Sequence, residues 1–360
     1  MTNNETSWKI FDANEAAWEA MIADCKKAEK SIVLETLIFV TDDFGQRLID
    51  VCAERANAGV KVRFLWDAWG SFSFFGSNIV ADLKTKNIEL AFWKTIIPAY
   101  YKVPNFRSWF FRNHRRTLVV DGKVGYTGSM CVKDAMKNWR DTNLRIEGSV
   151  VAEMQNAFNR MWARALDQKP LPKRIKARHQ EFRYLTNYPL PGRRHLYSEL
   201  VEAIRHSRKY IYITTPYFVP TRRLARVLRL AAMRNVDVKI IMPETSNHPF
   251  VDLAARGFFS SMLSSGVKIF LYQGENIHGK TTVIDGDWAS VGSMNMDGIS
   301  LLYNFEANIV STSPRFTEEM VAHFVHDLQK AREITLVEWE KRSFLQKWLE
   351  LPARLVRKFL

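Results

Sequence analysis

A chain of 360 residues is too long for one minimal core and comfortable for two domains of ordinary size. With 47% apolar and 25% charged residues it reads as globular and not as disordered. A net charge of +14 points to an anionic partner: nucleic acid, an anionic membrane surface or a phosphorylated substrate. Cys25, Cys52 and Cys131 lie far apart without metal-ligand spacing, which argues against a disulfide or metal framework and for buried reduced thiols in a cytoplasmic setting. The polar start, MTNNETSWKI, lacks the apolar region of a signal peptide. No window of about 18 to 20 residues is free of charge, so no bilayer span is expected and any membrane contact is one-sided.

In chain order, a helical stretch ends in the β-like run AEKSIVLETLIFV (Ala28 to Val40). A second helical stretch leads to GVKVRFLWD (Gly59 to Asp67). From Phe92 to Phe111, eight aromatic residues stand among Lys and Arg, placed to border either acyl chains or the core. Next come HRRTLVVD (His114 to Asp121), GSMC (Gly128 to Cys131) and Asp141. Residues 169–195 carry Pro170, Pro172, Pro189 and Pro191 with clustered cations, and are expected to form an exposed basic connector.

The same order then recurs. SRKYIYITTPYFV (Ser207 to Val219) precedes a helix-period stripe of Leu224, Val227, Leu228 and Ala231, with Arg222, Arg226 and Arg229 off it. NVDVKIIMP (Asn235 to Pro243) follows, then HGKTTVID (His278 to Asp285), GSMN (Gly292 to Asn295) and Glu306. Strand–helix–strand units of this kind predict an α/β fold of parallel strands with helices on the faces. The C-terminus, residues 336–360, places Trp348, Leu349, Phe359 and other apolar residues at helical spacing among Lys and Arg, divided by Pro352. It is expected to form a basic amphipathic membrane-associating tail.

On a strand, His278 and Lys280 project to the same face, which sets a nucleophile or proton donor beside a fixed cation. A phosphodiester needs that pairing: an in-line nucleophile, and cations on the non-bridging oxygens. Ser293 and Asn295 of the Gly-Ser-x-Asn turn are further candidate phosphate donors, as is Ser129 in the first half. Glu306 is expected to accept from the other imidazole nitrogen of His278 and fix its tautomer; Asp141 is its counterpart for His114. Asp121 and Asp285 enter the candidate site through the motif, although their place one step past a strand, at a turn, fits backbone-bonding structural residues better than catalytic ones. Two copies of His-x-cation-x-x-x-x-Asp, each followed by Gly-Ser-Met, make a far stronger signal than one.

These paired motifs resemble the phospholipase D superfamily, and WRDTNLRIEG, TPYFVP and GSMNMDGISLLYNFEANIV look most like bacterial cardiolipin synthases of the short form. The resemblance covers nearly the whole chain. It implies two α/β/α sandwiches related by a pseudo-twofold, one spanning residues 1–168 and the other 196–335, with the motifs meeting between them. It further implies phosphatidyl transfer through a phosphatidyl-histidine, with His114 as nucleophile, His278 as acid/base and Lys280 and Arg116 as cations. No cofactor or metal is implied. The partner would be an anionic phospholipid such as phosphatidylglycerol, met peripherally at the cytoplasmic side of a bacterial inner membrane. The first half departs from the pattern, with Arg116 for Lys and Cys131 for Asn. Two alternatives stay open: a phosphodiesterase of the same superfamily acting on nucleic acid, and a catalytically weak lipid-binding homologue.

Overall fold

The computed structural model describes residues 6–74, 76–93, 111–167 and 180–342. The first half comprises β1 (Ser7–Ala13), α1 (Asn14–Lys26), β2 (Ser31–Thr36), α2 (Asp43–Asn57), β3 (Lys61–Asp67), α3 (Ile79–Thr85), β4 (Ile88–Trp93), β5 (Thr117–Val120), β6 (Val124–Gly128), β7 (Arg140–Glu147) and α4 (Val150–Ala165). The second opens with β8 (Phe182–Asn187), α5 (His195–His206), β9 (Tyr210–Thr214), β10 (Phe218–Val219), α6 (Arg222–Met233), β11 (Asp237–Pro243), α7 (Pro249–Leu263) and β12 (Lys268–Tyr272). It closes with β13 (Thr281–Ile284), β14 (Trp288–Gly292), β15 (Met296–Asp297), α8 (Gly298–Leu302), β16 (Glu306–Ser311), α9 (Pro314–Leu328), β17 (Ala331–Ile334) and α10 (Leu336–Glu340).

The repeat seen in the sequence is a repeat of sheet order. Read from one edge, the first sheet runs β4-β3-β2-β5-β6-β7-β1 and the second β12-β11-β9-β13-β14-β16-β8, with β17 added beyond β12. Each sheet is mixed, which corrects the expectation of parallel strands. β2, β3 and β4 are parallel, as βαβ crossovers require, whereas β5, β6, β7 and β1 alternate in direction. The motif strands β5 and β13 already run against β2 and β9, and the Asp-Gly turns that end them reverse the chain again into β6 and β14. Asp121 and Gly122 have φ of 54° and 66°, and Asp285 and Gly286 have 55° and 85°, conformations suited to Gly and tolerated by Asp.

Apolar packing forms layers. One core lies between the first sheet and α1 and α2, and another between the second sheet and α5, α6 and α7. A third is shared, joining Val119 and Leu144 of the first sheet and Phe158 of α4 to Val283 and Ile309 of the second sheet and Phe316 of α9. The architecture is therefore two α/β/α sandwiches around a pseudo-twofold, and the central layer fuses them. In α6 the stripe Leu224, Val227, Leu228 and Ala231 is buried and the off-stripe arginines face solvent.

Three regional expectations meet the structure differently. The stretch expected as a connector contains β8, which pairs with β16 from Phe182 to Asn187 and buries Phe182 and Tyr184. It is the second-half counterpart of β1, and its alternating apolar residues outweigh the flanking prolines and cations. Of the aromatic segment, Phe92 and Trp93 end β4, and Trp93 packs edge-on against Phe305 at 4.9 Å; residues 94–110 lie outside the described residues. The expected tail begins with α10, whose Trp339 packs on Phe259 at 4.9 Å and donates to Ser260 Oγ at 3.1 Å. That part packs onto the surface of the second domain through Trp339, and residues 343–360 lie outside the described residues. No helix among the described residues is long and apolar enough to cross a membrane.

Candidate active site

His114 and His278 each stand just before a motif strand, on a segment that crosses to the opposite half. The N–H of His114 donates to the Phe305 carbonyl at 2.9 Å, and that of Phe305 returns to the Arg112 carbonyl at 2.9 Å. Reciprocally, the His278 N–H donates to the Arg140 carbonyl at 2.7 Å, and that of Arg140 to the Asn276 carbonyl at 3.1 Å. Phe305 and Arg140 directly precede Glu306 and Asp141. Each histidine is thus laced beside the carboxylate of the other half.

The side chains follow the backbone. His114 Nδ1 lies 2.9 and 3.0 Å from the two oxygens of Glu306, and His278 Nδ1 lies 3.1 Å from Asp141 Oδ2. This corrects the expected pairing, in which each carboxylate served the histidine of its own repeat. Within one sheet β6 separates β5 from β7 by two strand spacings, roughly 9 to 10 Å in all, so the carboxylate on β7 stands away from its own histidine.

The cations share one arrangement. Lys280 Nζ is 3.0 Å from His278 Nε2, and Arg116 Nη2 is 3.1 Å from His114 Nε2. Carboxylates only accept, so each Nδ1 carries the proton given to Glu306 or Asp141 and each Nε2 keeps the lone pair; Arg116 Nη1 also lies 3.3 Å from His114 Nδ1. Burial is the largest influence on the histidines and lowers both, the neighbouring cations lower them further, and the carboxylates only partly restore them. His278 falls to about 3. Lys280, wholly buried and facing Arg116, is lowered to about 7. Burial would raise Asp141, but the His278 imidazole and Lys280 hold its carboxyl well below the usual range.

Several residues singled out by motif have other duties. Ser293 Oγ donates to Glu306 at 2.5 Å, and Ser129 bonds Asp141. Both hydroxyls are fully buried behind the carboxylates, so their expected role as phosphate donors is corrected to fixing those carboxylates. Asn295 donates to Asp297, while its buried Oδ1 has no partner among the described residues. Asp121 accepts the backbone N–H groups of Glu29, Lys30 and Ser31, and Asp285 those of Arg208, Lys209 and Tyr210. Each lies seven residues beyond its histidine, roughly 23 Å along a strand. The structure gives them the backbone-bonding role expected at the end of a strand and not the catalytic one that the motif suggested: they tie the motif strand to the start of the neighbouring strand.

Other contacts had no clear signal in the sequence. Ser300 Oγ donates to Glu306 Oε1 at 2.6 Å and accepts the Asn295 N–H at 2.9 Å. Trp139 stands edge-on to the His278 ring at 5.2 Å; its place two residues before Asp141 was the available hint. Buried Asp297, raised to about 7 chiefly by burial, caps α8 through the Ser300 N–H at 2.8 Å. Tyr217 donates to Asn247 at 2.6 Å.

The altered residues of the first half touch one another: Arg116 Nε lies 3.2 Å from Cys131 Sγ. In the second half Lys280 and Asn295 hold the corresponding places.

A family model described as "Cardiolipin synthase, PLD-like domain" matches residues 21–162 and 200–328. Cardiolipin synthases of Clostridium perfringens strain 13 and Listeria monocytogenes serotype 4b are each 32% identical over 368 residues, covering 96% and 98% of this chain and 75% of each relative. Among solved structures, phosphatidylserine synthase of Haemophilus influenzae Rd KW20 aligns with a TM-score of 0.73 at 15% identity, covering 98% of this chain and 92% of that one. Polyphosphate kinase of Porphyromonas gingivalis aligns at 0.62 and 12% identity, covering 99% and 54%. At those identities the structural likenesses speak for the fold alone.

Proposed function

Since the chain belongs to the cardiolipin synthase family of phospholipase D-like enzymes, we propose that it makes cardiolipin from two molecules of phosphatidylglycerol through a phosphatidyl-histidine. The observation that carries this reading is the pair of crossed histidine–carboxylate bonds with a cation at each Nε2. Two imidazoles whose unprotonated Nε2 atoms each face a cation suit an in-line displacement at phosphorus, one attacking and one handling the alcohol's proton.

In the first half-reaction His114 Nε2 attacks phosphorus and the bond from phosphorus to the glycerol oxygen breaks. His278 gives its proton to that oxygen and glycerol departs. In the second, His278 takes the proton from the primary hydroxyl of another phosphatidylglycerol. Its oxygen attacks phosphorus, the P–N bond breaks and His114 is freed. Arg116 and Lys280 stabilise the charge on the non-bridging oxygens. Both histidines are neutral at rest. An anionic phosphodiester between them favours the protonated ring, which supplies the acid for the first step.

The test uses purified full-length chain with phosphatidylglycerol in mixed micelles, scoring cardiolipin and glycerol. His114→Ala and His278→Ala should each lose about 10⁴-fold or more, since residues acting as one unit fail together. In a single turnover, mass spectrometry should find the lipid phosphate on the peptide holding His114. Equal cardiolipin output from wild type and His114→Ala would sink the proposal.

A further inference from the structure

A second cationic feature lies on the outer surface, away from the buried site. Arg205, Arg222, Arg223, Arg226 and Arg234 line a cleft of about 400 Å³, with Val227 and Leu230 completing its wall. Helix α6 contains no acidic residue. One ion pair among the described residues reaches the five guanidiniums, from Glu202 to Arg205 at 3.7 Å. Arg223 lies over the Tyr197 ring at 6.0 Å, and Arg234 donates to the carbonyls of Arg205 and Ser207 at 3.1 and 3.5 Å. These contacts position the guanidiniums without neutralising them. On the same helix Leu230 and Met233 are 41% and 65% exposed, where burial in the core would be ordinary.

A free anion calls for the charges alone. Exposed aliphatic side chains among arginines fit a surface that is anionic outside and apolar just beneath, which is a bilayer. We propose that the exposed face of α6 docks the protein on an anionic phospholipid membrane. Arg222, Arg223 and Arg226 grip headgroup phosphates, and Leu230 and Met233 enter the headgroup boundary. This rests on the lipid substrate proposed above and adds the surface through which the protein reaches it. α6 starts three residues after β10, and β10 pairs with β15 directly after the Gly-Ser-Met-Asn turn. The docking helix is therefore joined to the site by a short, hydrogen-bonded path.

The experiment is sedimentation of the full chain with vesicles of phosphatidylglycerol and phosphatidylcholine in equal parts. Each cation near such a surface is worth about fivefold in affinity, so R222Q/R223Q/R226Q should bind about a hundredfold more weakly. Wild-type binding should weaken with salt and vanish on phosphatidylcholine alone. R222K/R223K/R226K keeps the charge and should bind like wild type. In detergent micelles the Gln variant should keep its activity within about twofold, because no vesicle surface is needed there. A wild type inactive in micelles would count against the proposed reaction and leave the docking face standing. Undiminished vesicle binding by the Gln variant would overturn the docking face, as would a loss of affinity for duplex DNA with vesicle binding intact.

Discussion

The two histidine stations share one plan and differ in how they are filled. At His278 a lysine reaches Nε2, and an asparagine follows in the Gly-Ser-Met turn. At His114 an arginine reaches Nε2, and a cysteine takes the asparagine's place and receives the arginine's Nε–H. Judged apart, Arg116 and Cys131 are two losses, a bulkier cation and a missing amide. In contact they are one exchange, in which a smaller neighbour admits a larger cation and the cation at Nε2 is preserved. Arginine also stays protonated under all working conditions, whereas Lys280 is lowered to about 7. The carboxylates differ too: Glu306 is held by the hydroxyls of Ser293 and Ser300, and Asp141 by Ser129 and the Thr142 N–H at 2.9 Å.

The strongest test of this comparison is the crossing itself. Glu306→Gln and Asp141→Asn should each lower phosphatidyl transfer by about 10² to 10⁴, as expected when a histidine loses the partner that sets its tautomer. Nitrogen NMR of labelled imidazoles should show Glu306→Gln disturbing His114, and Asp141→Asn disturbing His278. The opposite assignment would refute the crossed pairing. Next in size is the Arg116–Cys131 contact. R116K and C131N should each cost about tenfold in kcat/KM, with R116K/C131N recovering most of that loss, so the cycle should show coupling of about 1 kcal/mol or more. Additive losses would mean that the two positions are independent.

The smallest effect is on stability against pH. His278 has a folded pKa near 3, below its unfolded value, and Asp141 is likewise lowered. In both cases the unfolded chain binds more protons, so stability rises with pH and is lost on acidification. For His278 the window runs from about pH 6.5 down to about 3. Chemical denaturation across that window should show His278→Gln with a slope shallower by up to about 1.4 kcal/mol per pH unit. Parallel slopes would show that His278 does not titrate as its burial implies.

Much of the molecule was legible in the chain because its signals are local. The His-x-cation spacing brings ring and charge together on the segment that leads into each motif strand, the Asp-Gly turns mark where the motif strands reverse, and the α6 stripe names its buried side. The order of elements, given twice, revealed the pseudo-symmetry. Other readings failed where local signals compete. β8 was obscured by the prolines and cations around it, and Ser129 and Ser293 suggested phosphate contacts because a motif does not say which way a hydroxyl points.

By itself the sequence determined which residues could do the chemistry and that they come as two sets: His114 with Arg116, and His278 with Lys280. The tertiary structure decided which carboxylate serves which histidine. That choice depends on two segments far apart in the chain, Asn113–His114 against Phe305 and Ile277–His278 against Arg140, bridging across the interface. It is made by packing the shared central layer, where the apolar faces of both sheets must be buried together and each histidine is carried over to the other half.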